Sequence, residues 1–230
     1  MYFSVLLQFH PTPSNSSCQN PSDPISYLCA WLALVPQALC IVYVTLIWSS
    51  REIEIILMFL GQLSCEALNF LLKRLIKQER PKQMYGKGYG MPSSHAQFVG
   101  FWAVALGLFL LLRHQPKARG RRREGEPLSW MQRVVAAAGA VGIAAAVTAS
   151  RVYLNYHTVE QAMVGVGAGV FTAIVWFAAT EIFRRLNCTE ILLEIEVVKM
   201  LRIRDLVIEE DLPAAGWEMW RTRKATEKRD

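Results

Sequence analysis

From Pro24 to Ser50 the chain runs for 27 residues without a charged side chain, bounded by Asp23 and Arg51. A helix needs only ~20 mostly apolar residues to cross the hydrocarbon of a bilayer. Further apolar stretches follow, and together they predict spans near 26–48, 53–72, 95–112, 131–149 and 159–180. The second is the most interrupted, carrying Glu54, Gln62 and Glu66. The fourth and fifth are rich in small residues, as in AAAGAVGIAAA and GVGAG. Small residues let helix backbones approach closely in lipid, so Gly165 and Gly169 are expected on a packing face. The pattern predicts an all-α fold, a polytopic transmembrane helix bundle of about five spans.

Beyond the last span the pattern changes. Residues 188–210 mix apolar and charged positions irregularly and are too charged to cross a bilayer. A short strand pair and an interfacial helix both fit them. The closing RTRKATEKRD is expected to be a disordered tail. The chain thus divides into an N-terminal segment (1–25), a transmembrane domain (26–180) and a C-terminal extension (181–230). The N-terminus lacks a basic region and a cleavage site, so no cleaved signal peptide is expected. Composition agrees with the spans: 53% of residues are hydrophobic and 19% charged. The five cysteines form no CxxC pair, which points to neither a disulfide framework nor a zinc site.

The net charge of +6 is local in origin. Residues 73–91 hold six basic side chains against one acidic, and residues 113–133 hold seven against two. Beside membrane spans such patches report topology or anionic lipid, and nucleic acid is not an expected partner. Five spans put the 73–94 and 150–158 loops on one face, and the 113–130 loop and C-terminus on the other. The second face carries more basic residues near the spans, so it is expected in the cytosol and the first in a lumen. Asn15-Ser16-Ser17 on that first face is a possible glycosylation acceptor.

Three clusters that could do chemistry fall on this first face. Lys73 and Arg80 are seven apart, two helical turns, so they would project from one side if the helix continued through them. Pro81 then helps to end the segment. Two such cations could clamp a phosphate, or form a basic collar at the membrane edge. In Met91-Pro92-Ser93-Ser94-His95, a serine can cap the third span. Free N–H groups at that helix start suit an anion, and His95 could give or take a proton beside it. The alternative is a simple cap followed by an interfacial histidine. The third cluster is Ser150-Arg151-Val-Tyr-Leu-Asn-Tyr-His157-Thr-Val-Glu160-Gln161, where Arg151, Tyr153, Tyr156 and His157 could also be interface anchors. Asn69 lies one turn before Lys73 and could steady it, or pack between helices.

Taken together, the three clusters resemble the type 2 phosphatidic acid phosphatase superfamily, whose pattern is K-x6-R-P, then P-S-G-H, then S-R-x5-H-x3-D. The first motif matches at Lys73, Arg80 and Pro81. The second matches at Pro92, Ser93 and His95, with Ser94 for the glycine. The third matches at Ser150, Arg151 and His157, with Gln161 for the aspartate. The strings MPSSHAQF and SRVYLNYHTVEQ are similar to the dolichyldiphosphatase branch, which itself uses serine and glutamine at these two positions.

The resemblance implies a phosphatase that needs no metal and no cofactor. In it His157 is the nucleophile, forming a transient phosphohistidine, and Gln161 orients its other ring nitrogen. Lys73, Arg80 and Arg151 hold the phosphoryl oxygens, and Ser93 with the N–H groups near Ser94 completes the cradle. His95 protonates the leaving oxygen and then activates water. A Gln161→Asp change is expected to be tolerated. The implied substrate is a polyprenyl diphosphate, dolichyl diphosphate first, cleaved on the lumenal face of the endoplasmic reticulum to recycle the carrier for N-glycosylation. A lipid phosphate phosphatase acting on phosphatidate or sphingoid phosphates shares most of these residues. An inactive lipid-binding scaffold would explain the missing aspartate. Oligomeric state is not indicated.

Overall fold

The structure is a computed structural model and describes residues 24–81, 88–114 and 128–227. The glycosylation triplet and the basic run 117–123 lie outside them. Among the described residues, five helical segments are long and apolar enough to cross a membrane: Pro24–Ser50, Ile53–Ile76, Ser94–Arg113, Trp130–Tyr153 and Val159–Arg185.

The first segment is two helices, α1 (Pro24–Leu32) and α2 (Val35–Ser50), separated by a turn. Pro36 sits in the first turn of α2. Its missing N–H cannot close a bond to the preceding turn, which favours a break at this point. Here Ala33 N–H bonds the Ala30 carbonyl at 3.2 Å rather than reaching back to Cys29. The break therefore leaves main-chain carbonyls in mid-span, and two of them are used below.

Helices α3 (Ile53–Ile76), α4 (Ser94–Leu108), α5 (Trp130–Tyr153) and α6 (Val159–Arg185) complete the bundle, with a π-helical turn at Phe109–Arg113 ending the α4 segment. The centre of the bundle is α4, the most buried of them, packed chiefly against α6 and α5. Phe98, Val99 and Ala103 meet Ala140, Ala144 and Val147 on one side, while Phe101 and Ala105 meet Cys65 and Ala173 on the other. The close α4–α6 approach depends on glycine. A side chain at Gly169 would run into the Gln97 carbonyl, and one at Gly165 would come within 2.7 Å of the Ser93 carbonyl. Both expected packing glycines thus lie on the helix pair that carries the second and third clusters.

A polar seam joins α3 to α4 just below the clusters. Asn69 Nδ2 donates to Gln97 Oε1 at 2.8 Å, and Gln97 Nε2 donates to the Cys65 carbonyl at 2.9 Å. Asn69 therefore packs between helices, the second of its two expected uses.

The C-terminal extension forms no strand among the described residues. It makes two short helices, α7 (Cys188–Leu193) and α8 (Glu196–Met200), then α9 (Leu212–Glu227). Residues 221–227, expected to be disordered, continue α9, where Trp217 and Trp220 stack at 4.8 Å and Lys224 lies over the Trp220 ring. Between α8 and α9 the chain docks on the far end of the bundle. Ile53 N–H bonds the Arg204 carbonyl at 2.9 Å, Arg204 N–H bonds that of Arg51 at 3.0 Å, and Glu52 accepts from the N–H groups of Leu206 and Val207.

Candidate active site

The three clusters meet at one end of the bundle, but not by the helical register expected of the first. Lys77 adopts the left-handed conformation at φ 52° and its N–H caps the Lys73 carbonyl, so α3 stops before Arg80. Lys73 remains on its last turn. The strand of chain that follows is pinned by two bonds instead: the Gln78 carbonyl accepts from Gly90 N–H at 2.7 Å, and the Glu79 carbonyl accepts from Gln161 Nε2 at 2.9 Å. These bonds bring Arg80 back over the bundle.

The second cluster behaves as a helix start with a difference. Ser93 is the N-cap residue of α4, yet its hydroxyl makes no capping bond and is buried without any partner. Its N–H is already given to the Gln161 carbonyl at 3.1 Å. The N–H groups at Ser94 and His95 belong to the first turn, which has no preceding carbonyls to bond. His95 places one ring nitrogen, Nε2, 3.2 Å from the Ala33 carbonyl at the break between α1 and α2.

The third cluster is a tight turn. The Arg151 carbonyl accepts from both Tyr156 N–H and His157 N–H, at 3.0 and 3.3 Å, and Asn155 takes the left-handed conformation that a short polar side chain tolerates. Thr158 then starts α6 with a capping box, Thr158 Oγ1 accepting from Gln161 N–H and Gln161 Oε1 accepting from Thr158 N–H. The Arg151 guanidinium donates to the Cys29 carbonyl at 3.0 Å, the other carbonyl freed by the break, and lies 5.2 Å from the Tyr156 ring centre.

Gln161 is the joint between the clusters and is almost wholly buried, at 1% exposure. Its amide oxygen faces His157 Nδ1 at 3.3 Å while its amide nitrogen holds the Glu79 carbonyl. One side chain thereby fixes both the ring of His157 and the segment carrying Arg80. An aspartate could accept from the imidazole, but it could not donate to Glu79. Whether Gln161→Asp is tolerated, as expected, therefore turns on how much the bond to Glu79 matters.

Electrostatically the site is a cluster of cations, Arg151 buried and Lys73 and Arg80 half-buried. Burial, followed by the nearby charge of Arg80, pulls His157 down to about 4, against the opposing bond to Gln161. The ring is therefore neutral at ordinary pH, with Nδ1 facing the Gln161 amide oxygen and the Gly90 backbone also acting on the ring. Burial also pushes the Arg80 guanidinium down from its ordinary value, with Tyr156 opposing. It nevertheless stays charged. Among the described residues, neither Lys73, Arg80 nor Arg151 pairs with a carboxylate. Arg80 Nε is buried with no hydrogen-bond partner, as is Ser93 Oγ. Unpaired buried cations and orphaned donors are costly. No cluster of three His, Cys, Asp or Glu side chains placed to hold a metal occurs among the described residues.

Reading the sequence missed the carbonyls of Cys29, Ala33 and Glu79 as parts of this site, and carbonyls leave no mark in a sequence. It left Tyr156 open as an interface anchor and did not foresee its ring 5.2 Å from the Arg151 guanidinium. One signal was readable: Thr158-Val-Glu-Gln161 fits a capping box, which ties Gln161 to the turn of His157.

The model of the PAP2 superfamily matches residues 54–185. A Neurospora crassa protein named "Putative dolichyldiphosphatase" is 50% identical over 91% of this chain and 90% of its own length. "Dolichyldiphosphatase 1" of Dictyostelium discoideum is 35% identical over 83% of this chain and 80% of its own. "Dolichyldiphosphatase 1" of Homo sapiens is 40% identical over 69% and 66%. No solved structure matches.

Proposed function

The chain belongs to the PAP2 superfamily, and on that footing we propose that it hydrolyses a polyprenyl diphosphate, dolichyl diphosphate first, to the monophosphate and inorganic phosphate. The observation that carries the reading is the pocket itself. A neutral His157 sits with Lys73, Arg80 and Arg151, none of them paired with a described carboxylate, beside the unpartnered Ser93 hydroxyl. The three cations are what a terminal phosphoryl group needs to spread its charge in the transition state.

The proposed steps use the groups gathered at this end of the bundle. His157 Nε2 attacks the terminal phosphorus, the bond from phosphorus to the bridging oxygen breaks, and its electron pair leaves with the lipid monophosphate. Gln161 keeps the proton of Nδ1 in place and supports the imidazolium that forms. With Nε2–H held by the Ala33 carbonyl, His95 can give a proton from Nδ1 only as the imidazolium, a form that the negative charge of a bound diphosphate favours, and that proton goes to the departing oxygen. That same nitrogen then takes a proton from water. The resulting hydroxide attacks the phosphohistidine, and the electron pair of the P–N bond returns to His157. No step calls on a metal or cofactor.

Placing this end of the bundle toward the lumen of the endoplasmic reticulum and the C-terminal extension toward the cytosol follows the basic-residue bias of the loops. There the reaction would regenerate a lipid carrier for protein N-glycosylation.

The test is phosphate release by purified protein in detergent with chelator present, from dolichyl diphosphate, dolichyl monophosphate and phosphatidate in parallel, with His157→Ala as blank. Selective cleavage of the diphosphate is expected. Preferential cleavage of phosphatidate would overturn the substrate, and binding of the diphosphate lipid without release would overturn the activity.

A further inference from the structure

Helices α5 and α6 each pack on α4 far more than on one another. The space this leaves is a groove of about 730 Å³, inside the ~300–1,000 Å³ range of ligand sites. Gly100 and Ala103 of α4 form its floor, Ala145, Ala149 and Val152 of α5 one wall, and Met163 and Val166 of α6 the other. Its lining is almost wholly apolar. The hydroxyl of Thr148 is already spent on the Ala144 carbonyl at 2.8 Å, so the walls offer an occupant next to nothing to hydrogen-bond.

We propose that this groove is the binding site for the isoprenoid chain of the substrate, an inference that rests on the polyprenyl diphosphate reading and deepens it. Three observations select that occupant. The first is continuity. The groove's upper end is bounded by Val152, Tyr153, Val159 and Ala162, which flank the turn carrying His157 and adjoin Arg151 and Gln161 in sequence. Arg151 turns toward α1 while its neighbour Val152 faces the groove, so one helix end serves both headgroup and chain. The second is length. From Val141 to Tyr153 the groove follows α5 for roughly 18 Å at ~1.5 Å per residue, more than half of the ~30 Å hydrocarbon thickness. The third is width. Alanine and glycine line much of it, leaving the lateral room that a chain with a methyl branch on every unit needs and a straight acyl chain does not. Ala145 and Ala149 are exposed, so the groove lies open along its length and a long chain can leave it for the bilayer.

The experiment uses the full chain in detergent with a polyprenyl diphosphate carrying a diazirine in its first isoprene units. Photolabelling is read by peptide mapping and KM is measured in parallel, with methyl diphosphate as the tail-less comparator. Labelling is expected on α5 and α6 peptides and should be competed by unmodified polyprenyl diphosphate. Ala145→Phe should raise the ratio of polyprenyl to methyl diphosphate KM about tenfold or more. Ala146→Phe, exposed but outside the groove, should leave that ratio unchanged. Label confined to α1–α3 would overturn the groove while cleavage of the polyprenyl diphosphate upheld the activity. Competed label in the groove with no phosphate release from any lipid would uphold the groove and discard the activity. An Ala145→Phe variant that changed oligomeric mass with no change in the KM ratio would assign the surface to a second copy of the chain and overturn the proposal.

Discussion

The two ends of the bundle both bury arginine, and they treat it in opposite ways. At the far end, Arg113 donates to Glu54 at 2.5 Å and also to the Phe177 carbonyl and Thr180 Oγ1. Arg184 joins Glu54 to Asp205, at 2.6 and 2.5 Å, and Arg204 pairs with the fully buried Glu52 at 2.8 Å. There each of these cations has a carboxylate. At the other end, Arg151 has the Cys29 carbonyl and the Tyr156 ring, Lys73 feels the charge of Glu66 from a distance, and none of Lys73, Arg80 and Arg151 forms an ion pair with a described carboxylate. Charges that are fully paired fasten α3, α4, α6 and the C-terminal extension together. Charges that form no close ion pair share their end of the bundle with the unpartnered hydroxyl of Ser93, and anion binding is proposed on that ground. Charge balance, more than residue type, separates a joint from a site.

The sharpest way to break this contrast is His157→Ala. Phosphate release should fall by at least about a thousandfold while the melting temperature in detergent stays close to that of the parent. A comparable fall in melting temperature would make His157 part of a joint instead. At the far end the expectation reverses. Glu54→Ala removes the carboxylate shared by Arg113 and Arg184, leaving Arg184 with Asp205 and Arg113 with the more distant Glu181, and should destabilise the fold by about 3 kcal/mol, while the protein that remains folded keeps its KM. A kinetic defect with unchanged melting would show that the two ends are coupled.

Smaller substitutions sharpen the same comparison. Arg80→Lys keeps the charge but loses the planar fork, and should lower kcat/KM about a hundredfold with little effect on melting. Gln161→Glu keeps an acceptor for His157 but loses the donor to the Glu79 carbonyl. Second-layer partners of this kind are worth about tenfold to a hundredfold, and recovery with Gln161→Asn rather than Gln161→Asp would identify the amide as the needed group. The smallest effect is on pH dependence. Because His157 is held near 4, the acid side of single-turnover phosphohistidine formation should stay level down to about pH 5.5 and fall only as the ring gains its proton below that. Arg80→Leu removes a charge that holds the ring neutral, so the acid limb should move to higher pH. Gln161→Leu removes a bond that favours the protonated ring, so the limb should move lower. Equal shifts in both variants would show that His157 is not the group being titrated.

How much of this was readable beforehand differs by element. Spans were, because a crossing needs ~20 mostly apolar residues and five stretches of the described chain supply them. The packing role of Gly165 and Gly169 was readable too, since only small residues permit that approach. The end of α3 was not: Lys77 enters the left-handed conformation without a glycine to announce it. Nor was the helix over 221–227, since a short charged segment ending in KRD has no periodic face strong enough to overrule a disordered reading.

The sequence by itself determined a five-span helical membrane protein of a phosphatase family, with Lys73, Arg80, Ser93, His95, Arg151 and His157 at recognisable spacings. Those facts are local, set by hydropathy over one span or by residue order within one motif. Tertiary structure alone decided which partners these side chains have. Glu54 interrupts an apolar run and looked like a flaw in the second span. Only when Arg113 and Arg184, 59 and 130 residues away, are folded against it does it become the most strongly paired carboxylate of the far end. Gln161 looked like a lost aspartate, and becomes a two-sided joint only once Glu79 is brought beside it from 82 residues upstream. Pairing between distant residues depends on where the packed helices put their ends, and no window of sequence contains that.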